Sequence, residues 1–248
     1  MTSRESTQFL PLAHGDEADF QRSARDWAIQ LGIGAIQWPW LLRSLRGGSK
    51  AEKRRLLERL ELPHDALPNL GSWKADTSLL HKIADRIFEA KPKLIVEFGA
   101  GASTLIAARA LELVGEGGQL ISFDQHGGFV EATRQWLAEN GLSSDLRCVP
   151  LVEAPGQFRG LWYDHGPLPD GIDLMLIDGP CWTIHPFTRG SAEQVFDKIA
   201  PGGMVMLDDG ARPGERVIRR RWAKAWPDFD FRLVSDGTKG TVVGIKRS

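Results

Sequence analysis

The sequence predicts a doubly wound α/β fold: a mostly parallel sheet with helices on both faces, an antiparallel C-terminal hairpin strand and an N-terminal helical extension. Three observations carry this. From Lys93 onward, short apolar runs alternate with segments of helical periodicity, which is the texture of successive βα units. Leu94-Ile95-Val96-Glu97-Phe98 runs directly into Gly99-Ala100-Gly101, a strand that ends in a glycine-rich turn. The last two runs, Phe229–Val234 and Thr241–Lys246, are joined by a short turn containing Asp236, Gly237 and Gly240. A parallel return needs a long crossover, so this pair is antiparallel.

The elements follow in order. In the N-terminal third, Phe20, Ala24, Trp27 and Leu31 recur at helical spacing and predict a helix from Asp16 to Leu31. Ser49 and Glu52 form a capping-box pattern that opens a second helix through Leu56, Leu57 and Leu60. A third, from Asp76 to Ala90, turns Leu79, Leu80, Ile83, Ile87 and Phe88 to one side and is stopped by Pro92. After the first strand come a helix from Ser103 to Val114, a strand from Gln119 to Asp124 and a helix from Phe129 to Asn140. Leu146 to Val152 reads as the third strand. Ile172 to Asp178 is the fourth, continuously apolar after Asp173 as a strand covered on both faces should be. A helix from Ser191 to Ala200, a fifth strand from Met204 to Asp208 and a helix from Glu215 to Trp226 precede the hairpin. Residues 1–75 thus read as a helical extension or lid, and residues 76–248 as a Rossmann-like domain.

Composition narrows the function classes. Hydrophobic residues make up 42% and charged residues 25% of the 248, an ordinary globular balance. A net charge of −1 gives no general attraction to nucleic acid or to an anionic membrane. Two cysteines, Cys148 and Cys181, are too few for a disulfide framework, and Cys148 reads as a small buried hydrophobe. Met1 to Gly15 lacks a basic segment followed by an apolar core, and Leu94 to Val114 is interrupted by Glu97, Arg109 and Glu112. The expectation is a cytoplasmic protein without a membrane span.

The most informative stretch is Glu97-Phe98-Gly99-Ala100-Gly101-Ala102-Ser103-Thr104, between a strand and a helix. A nicotinamide-binding fingerprint asks for glycine at position 104, where Thr104 stands. With its acidic residue before Gly-x-Gly and its terminal hairpin, the chain resembles the class I S-adenosylmethionine-dependent methyltransferases. The resemblance implies S-adenosylmethionine as cofactor, held by Glu97, Gly99, Ala100, Gly101 and Ser103. It also implies Asp124 at the ribose hydroxyls and Asp178 beside the cofactor. Glu153 and Ala154 are the nearest residues for adenine by order along the chain, or simply a surface loop. Trp73, Asp76 and Ser78 either cover the cofactor or, for Trp73, pack the two parts of the chain together.

Three acids end neighbouring strands: Asp178, Asp208 and Asp209. Adjacent strands lie about 5 Å apart, so these carboxylates converge at the carboxyl edge of the sheet. A divalent cation such as Mg²⁺ would join them. The layout is similar to that of catechol and caffeoyl-coenzyme A O-methyltransferases, with Asp178 and Asp208 at two ligand positions and Asp209 in place of an asparagine. Cys181 stands where those enzymes carry a lysine, so a lysine base does not carry over. The metal-free alternative makes Asp178 a base or substrate anchor and pairs Asp208 and Asp209 with Arg189 and Arg212 or with turns. His185 is a second candidate proton acceptor, or a solvated loop histidine.

Asp178-Gly179-Pro180, Arg189, Ala200-Pro201-Gly202-Gly203, the run Asp208 to Glu215 and Trp162-Tyr163-Asp164 are similar to a broad group of bacterial class I methyltransferases acting on small molecules. Asp178-Gly179-Pro180-Cys181 departs from the Asn/Asp-Pro-Pro-Tyr/Phe pattern of enzymes that methylate nucleic-acid amines, so no nucleic-acid partner is expected. Arg216, Arg219, Arg220, Arg221 and Lys224 read as a solvated helix face or as a phosphate contact. Trp38, Trp40, Trp162 and Trp182 line an acceptor pocket or pack element ends. The expected activity is methyl transfer to a hydroxyl of a small-molecule acceptor, with or without a divalent cation. A methyltransferase-fold binding protein without catalysis is the alternative.

Overall fold

The computed structural model describes residues 21–154 and 156–247. The Met1–Gly15 segment and the expected helix start between Asp16 and Phe20 lie outside the described residues. Helix α1 spans Ala24–Ile36 and opens on a reciprocal cap: Asp26 N–H donates to Ser23 Oγ, and Ser23 N–H donates to the Asp26 carboxylate. The expected apolar stripe does not face inward, since Trp27 is 50% and Leu31 67% exposed. A short helix α2, Trp38–Ser44, follows with proline in its first turn and was not expected. Helix α3, Lys50–Arg59, begins at the Ser49–Glu52 capping box. Helix α4, Thr77–Ala90, is capped by Asp76 and ends at Lys91 in the left-handed conformation before Pro92.

The α/β part runs β1 (Leu94–Phe98), α5 (Ala102–Val114), β2 (Gln119–Asp124), α6 (Gly127–Glu139) and β3 (Asp145–Cys148). Two short strands follow, β4 (Leu151–Glu153) and β5 (Leu161–Tyr163), and then β6 (Ile172–Ile177). A 3-10 helix (Thr188–Lys198), β7 (Ile199–Leu207), α7 (Pro213–Ala225), β8 (Phe229–Val234) and β9 (Thr241–Lys246) complete the order. Seven strands form one sheet in the order β3-β2-β1-β6-β7-β9-β8, with β9 antiparallel to both neighbours. The chain builds outward from β1 and then returns to β6 on its other side, so β1 and β6 flank the topological switch point where such sheets open a crevice. Phe98 pairs with both Phe123 and Ile177, and Ile177 with Leu207. That register brings Gly99, Asp124, Asp178 and Asp208 to one edge.

Alternation along the strands divides the core. Ile95, Leu174 and Leu176 face the helical layer of α3, α4, α5 and α6, whereas Val96, Phe98, Met175 and Ile177 face Trp162, Phe196 and Trp222. Leu56, Leu57 and Leu60 of α3 belong to the first of these cores, so packing shows no break at residue 75. Among the described residues no helix is long and apolar enough to cross a membrane.

Three expectations need correction. The strand expected from Leu146 to Val152 splits at Pro150: Asp145–Cys148 stays in the main sheet, and Leu151–Glu153 pairs antiparallel with Leu161–Tyr163. Cys148 is exposed, because β3 is the edge strand. The helix expected from Ser191 to Ala200 is a 3-10 helix starting at Thr188, tied by Trp222 Nε1–H donating to Gly190 O at 2.9 Å, and Ile199 joins β7 opposite Ile172.

Candidate active site

The turn after β1 is held from behind by a buried acid. Glu97 Oε2 accepts from Thr104 Oγ1 and from Ser122 Oγ, each at 2.6 Å. Thr104 Oγ1 accepts in turn from Gly101 N–H at 2.8 Å. Thr104, the residue that departs from the nicotinamide pattern, therefore fastens the turn to the sheet. Burial raises the Glu97 carboxyl to about 7, against hydrogen bonds from Ser103, Ser122 and Thr104. Gly99 sits at φ +97°, and a Cβ there would collide with the backbone of Gly179, so only glycine lets the β1 and β6 turns meet.

Where those turns meet, a cleft of about 190 Å³ opens, lined by Gly99, Ala100, Asp124, Tyr163, Asp178 and Gly179, and reaching Trp73, His126, Phe129 and Arg189. Two larger cavities of about 340 and 440 Å³ contain none of these residues. Asp124 ends β2 and accepts from His126 N–H at 2.9 Å. Burial raises its carboxyl to about 7, opposed by backbone N–H donors. Of the residues expected at the cofactor, Gly99, Ala100, Asp124 and Asp178 line the cleft. Glu97 and Ser103 are buried behind it, and Gly101 precedes α5 as its N-cap beside Phe129. Glu153 is exposed on β4 and, with Ala154, is not in the lining, whereas Gln125, His126 and Phe129 are.

The three strand-end acids meet three cations. Arg189 Nη1 lies 3.0 Å from Asp209 Oδ2, and Nη2 donates to the Asp178 carbonyl and lies 3.4 Å from Asp178 Oδ1. Arg212 Nη2 lies 2.7 Å from Asp209 Oδ2 and 2.8 Å from Glu215 Oε1. Lys239 Nζ lies 2.7 Å from Asp208 Oδ2 and 3.4 Å from Asp209 Oδ1. Burial alone would raise the Asp209 carboxyl, but Arg212, Lys239 and Arg189 outweigh it and hold it well below the usual range. Burial would likewise lower the Lys239 ammonium, and Asp208 and Asp209 raise it instead. Sequence reasoning missed Lys239, which the β8–β9 turn delivers. Asp76 fixes that turn, its Oδ2 accepting from Thr238 N–H at 2.6 Å and Lys239 N–H at 3.1 Å. Asp76 is thus a clamp rather than a cover for the cofactor.

Residues 96–210 match the model of a family described as a methyltransferase domain. Over that stretch, a little under half of the chain, the sequence is similar to this family. Solved structures agree in fold. A methyltransferase from Geobacter sulfurreducens is 17% identical, with a TM-score of 0.54 over 80% of this chain and 88% of its own. The O-methyltransferase TomG of tomaymycin synthesis from Streptomyces achromogenes, in complex with SAM, is 14% identical, with a TM-score of 0.53 over 92% and 100%. An O-methyltransferase from Bacillus cereus in complex with SAH is also 14% identical, with a TM-score of 0.53 over 89% and 97%.

At the strand ends the metal expectation meets a filled electrostatic site. Asp178, Asp208 and Asp209 can each turn an oxygen to within 4.8 Å of the others, a spacing a divalent ion can use. Yet Lys239, Arg189 and Arg212 already contact the oxygens of these acids. A dication among them would sit against an ammonium and two guanidinium groups. The donor set does not fit Mg²⁺ and matches the alternative of carboxylates paired with protein cations.

His185 is not in the cleft lining. It is 1% exposed, its Nδ1 accepts from Phe187 N–H at 3.2 Å, and its Nε2 faces Asp26 Oδ1 at 3.7 Å. Burial lowers it to about 4 despite Asp26, so it is neutral at physiological pH and packs α1 onto the loop after β6. Arg22 donates to the carbonyls of Thr183 and Ile184, reinforcing that contact. Of the four tryptophans expected at an acceptor pocket, Trp162 is core, Trp38 is 52% exposed and Trp40 lies under Arg216. Trp182 joins Trp73 and Leu41 in a narrow crevice over Arg189 and Arg212.

Proposed function

We propose that the protein transfers a methyl group from S-adenosylmethionine to a hydroxyl of a small-molecule acceptor, and that it does so without a metal ion. The observation that carries this reading is the position of Asp178. Of the three strand-end acids, Asp208 and Asp209 are sealed against cations, whereas the Asp178 side chain is 18% exposed and opens into the cleft shared with Gly99 and Asp124. The methyltransferase-domain match and the fold shared with the SAM- and SAH-bound O-methyltransferases support the choice of cofactor.

Bound there, the cofactor supplies an electrophilic methyl on a sulfonium. The chain's own groups do the rest. Gly99 and Ala100 let a ligand approach the main chain, and Asp124 accepts hydrogen bonds from the ribose hydroxyls. Asp178 receives the acceptor's hydroxyl proton, while Arg189 fixes that carboxylate's orientation. Trp73 lines the cleft and limits water there. Holding nucleophile and methyl in line is the larger part of the task, because displacement at a methyl needs alignment above all.

The test is formation of S-adenosylhomocysteine from S-adenosylmethionine over a panel of phenolic and catechol-like acceptors. Turnover is expected to persist in excess EDTA. Asp178→Asn should lower it by about 10²-fold or more while leaving S-adenosylhomocysteine affinity within about twofold. Loss of turnover in EDTA contradicts the metal-free assignment, and a fully active Asp178→Asn enzyme removes Asp178 from the mechanism.

A further inference from the structure

Tyr163 is the chain's single tyrosine, placed on β5 outside the main sheet. Its ring is fully accounted for by packing: it stacks on Phe98 with centroids 5.7 Å apart and meets Trp162 edge-on at 5.3 Å. Its hydroxyl is not. The residue is 3% exposed, and among the described residues Tyr163 Oη has no hydrogen-bond partner. A buried hydroxyl without a partner is costly, and phenylalanine would serve the same packing without that cost.

The surroundings show where the hydroxyl is directed. Tyr163 lines the cleft with Gly99, Asp124 and Asp178. A Cβ on residue 179 would collide with Tyr163 Oη, so Gly179 makes the room the hydroxyl occupies. Burial first, then the neighbouring Asp124 charge, raises the phenol well above its ordinary value. The group therefore keeps its proton and is a donor beside two acidic side chains.

We propose that Tyr163 Oη is a ligand-binding group of this cleft, donating a hydrogen bond to a ribose oxygen of the S-adenosyl cofactor beside Asp124. The assignment rests on the cofactor reading above. It makes β5, a strand with no role in the main sheet, the element that completes the nucleoside half of the site.

Tyr163→Phe keeps the ring and deletes only the hydroxyl. Calorimetric titration should show S-adenosylhomocysteine and adenosine both binding about 3- to 10-fold more weakly than to the wild type, the loss of one neutral hydrogen bond. The thermal midpoint of the ligand-free variant should equal or exceed that of the wild type, because an unpartnered hydroxyl has been removed. A lowered ligand-free midpoint makes the hydroxyl structural and overturns the proposal, and so does unchanged affinity for both ligands. Weaker S-adenosylhomocysteine with unchanged adenosine overturns the ribose assignment. Failure of the wild type to bind either ligand defeats the cofactor reading itself, and is thereby distinguished from failure of Tyr163 alone.

Discussion

Replacing Arg189 by methionine is expected to destabilise the ligand-free protein by about 3–5 kcal/mol, the range for removing one partner of a buried charge pair. Methionine approximates the length of the side chain but donates nothing. Asp178 would lose its guanidinium partner, Asp209 would retain Arg212 and Lys239, and the carbonyls of Pro180 and Asp178 would lose their donor. Against a typical total of about 5–15 kcal/mol, that is a third or more of the stability of many domains. Urea unfolding of wild type and variant at constant ionic strength measures it. The loss should change little between low and moderate salt, because buried pairs are weakly screened. Adding Asp178→Asn to the variant should return part of the loss, since Asp178 is the acid left without its guanidinium. A loss below about 1 kcal/mol would show that the cluster is not held together by Arg189.

The second large effect is on binding. Asp124→Ala should weaken S-adenosylhomocysteine by about 1–3 kcal/mol, the loss of one to two hydrogen bonds to the ribose. The wild-type affinity should also depend on pH. The carboxyl is raised to about 7, chiefly by burial, so it is mostly protonated at pH 6 and mostly ionised at pH 8. If the ionised form accepts both ribose hydroxyls, affinity rises with pH across this window by about tenfold, the change in the competent fraction. The sign for the free fold is opposite. Glu97 and Asp124 hold protons in the folded state that the unfolded chain has released, so their contribution to stability falls as pH rises from about 4 to 7. Calorimetric titrations of wild type and variant at pH 6, 7 and 8 check both the loss and the slope. Equal affinity in the variant, or a flat wild-type profile, would mean that Asp124 does not carry the ribose.

What could be read from the residues divides along the line between local and long-range causes. The strands Leu94–Phe98, Gln119–Asp124, Phe229–Val234 and Thr241–Lys246 have the bounds their apolar runs and flanking turns imply. The capping box at Ser49 and the glycine turn at Gly99 are equally local, and both form. The convergence of Asp178, Asp208 and Asp209 followed from strand order alone. Their neutralisation did not, because Lys239 arrives from a turn 30 residues beyond Asp209, held by Asp76 from another element. β4 and β5 were missed for a similar reason: each has three residues, and only their mutual pairing makes them strands. His185 has the residue type of a proton acceptor, yet its contacts come from α1, which leaves it neutral and enclosed.

The central claim is that the cleft between β1 and β6 binds an S-adenosyl cofactor with the protein's own cations in place of a metal. Calorimetric titration of the wild-type protein with S-adenosylhomocysteine, in EDTA and again with added Mg²⁺, tests it most directly. The account predicts one site per chain in EDTA, with an affinity that Mg²⁺ leaves unchanged. Binding that appears only with Mg²⁺, or no binding under either condition, would contradict it.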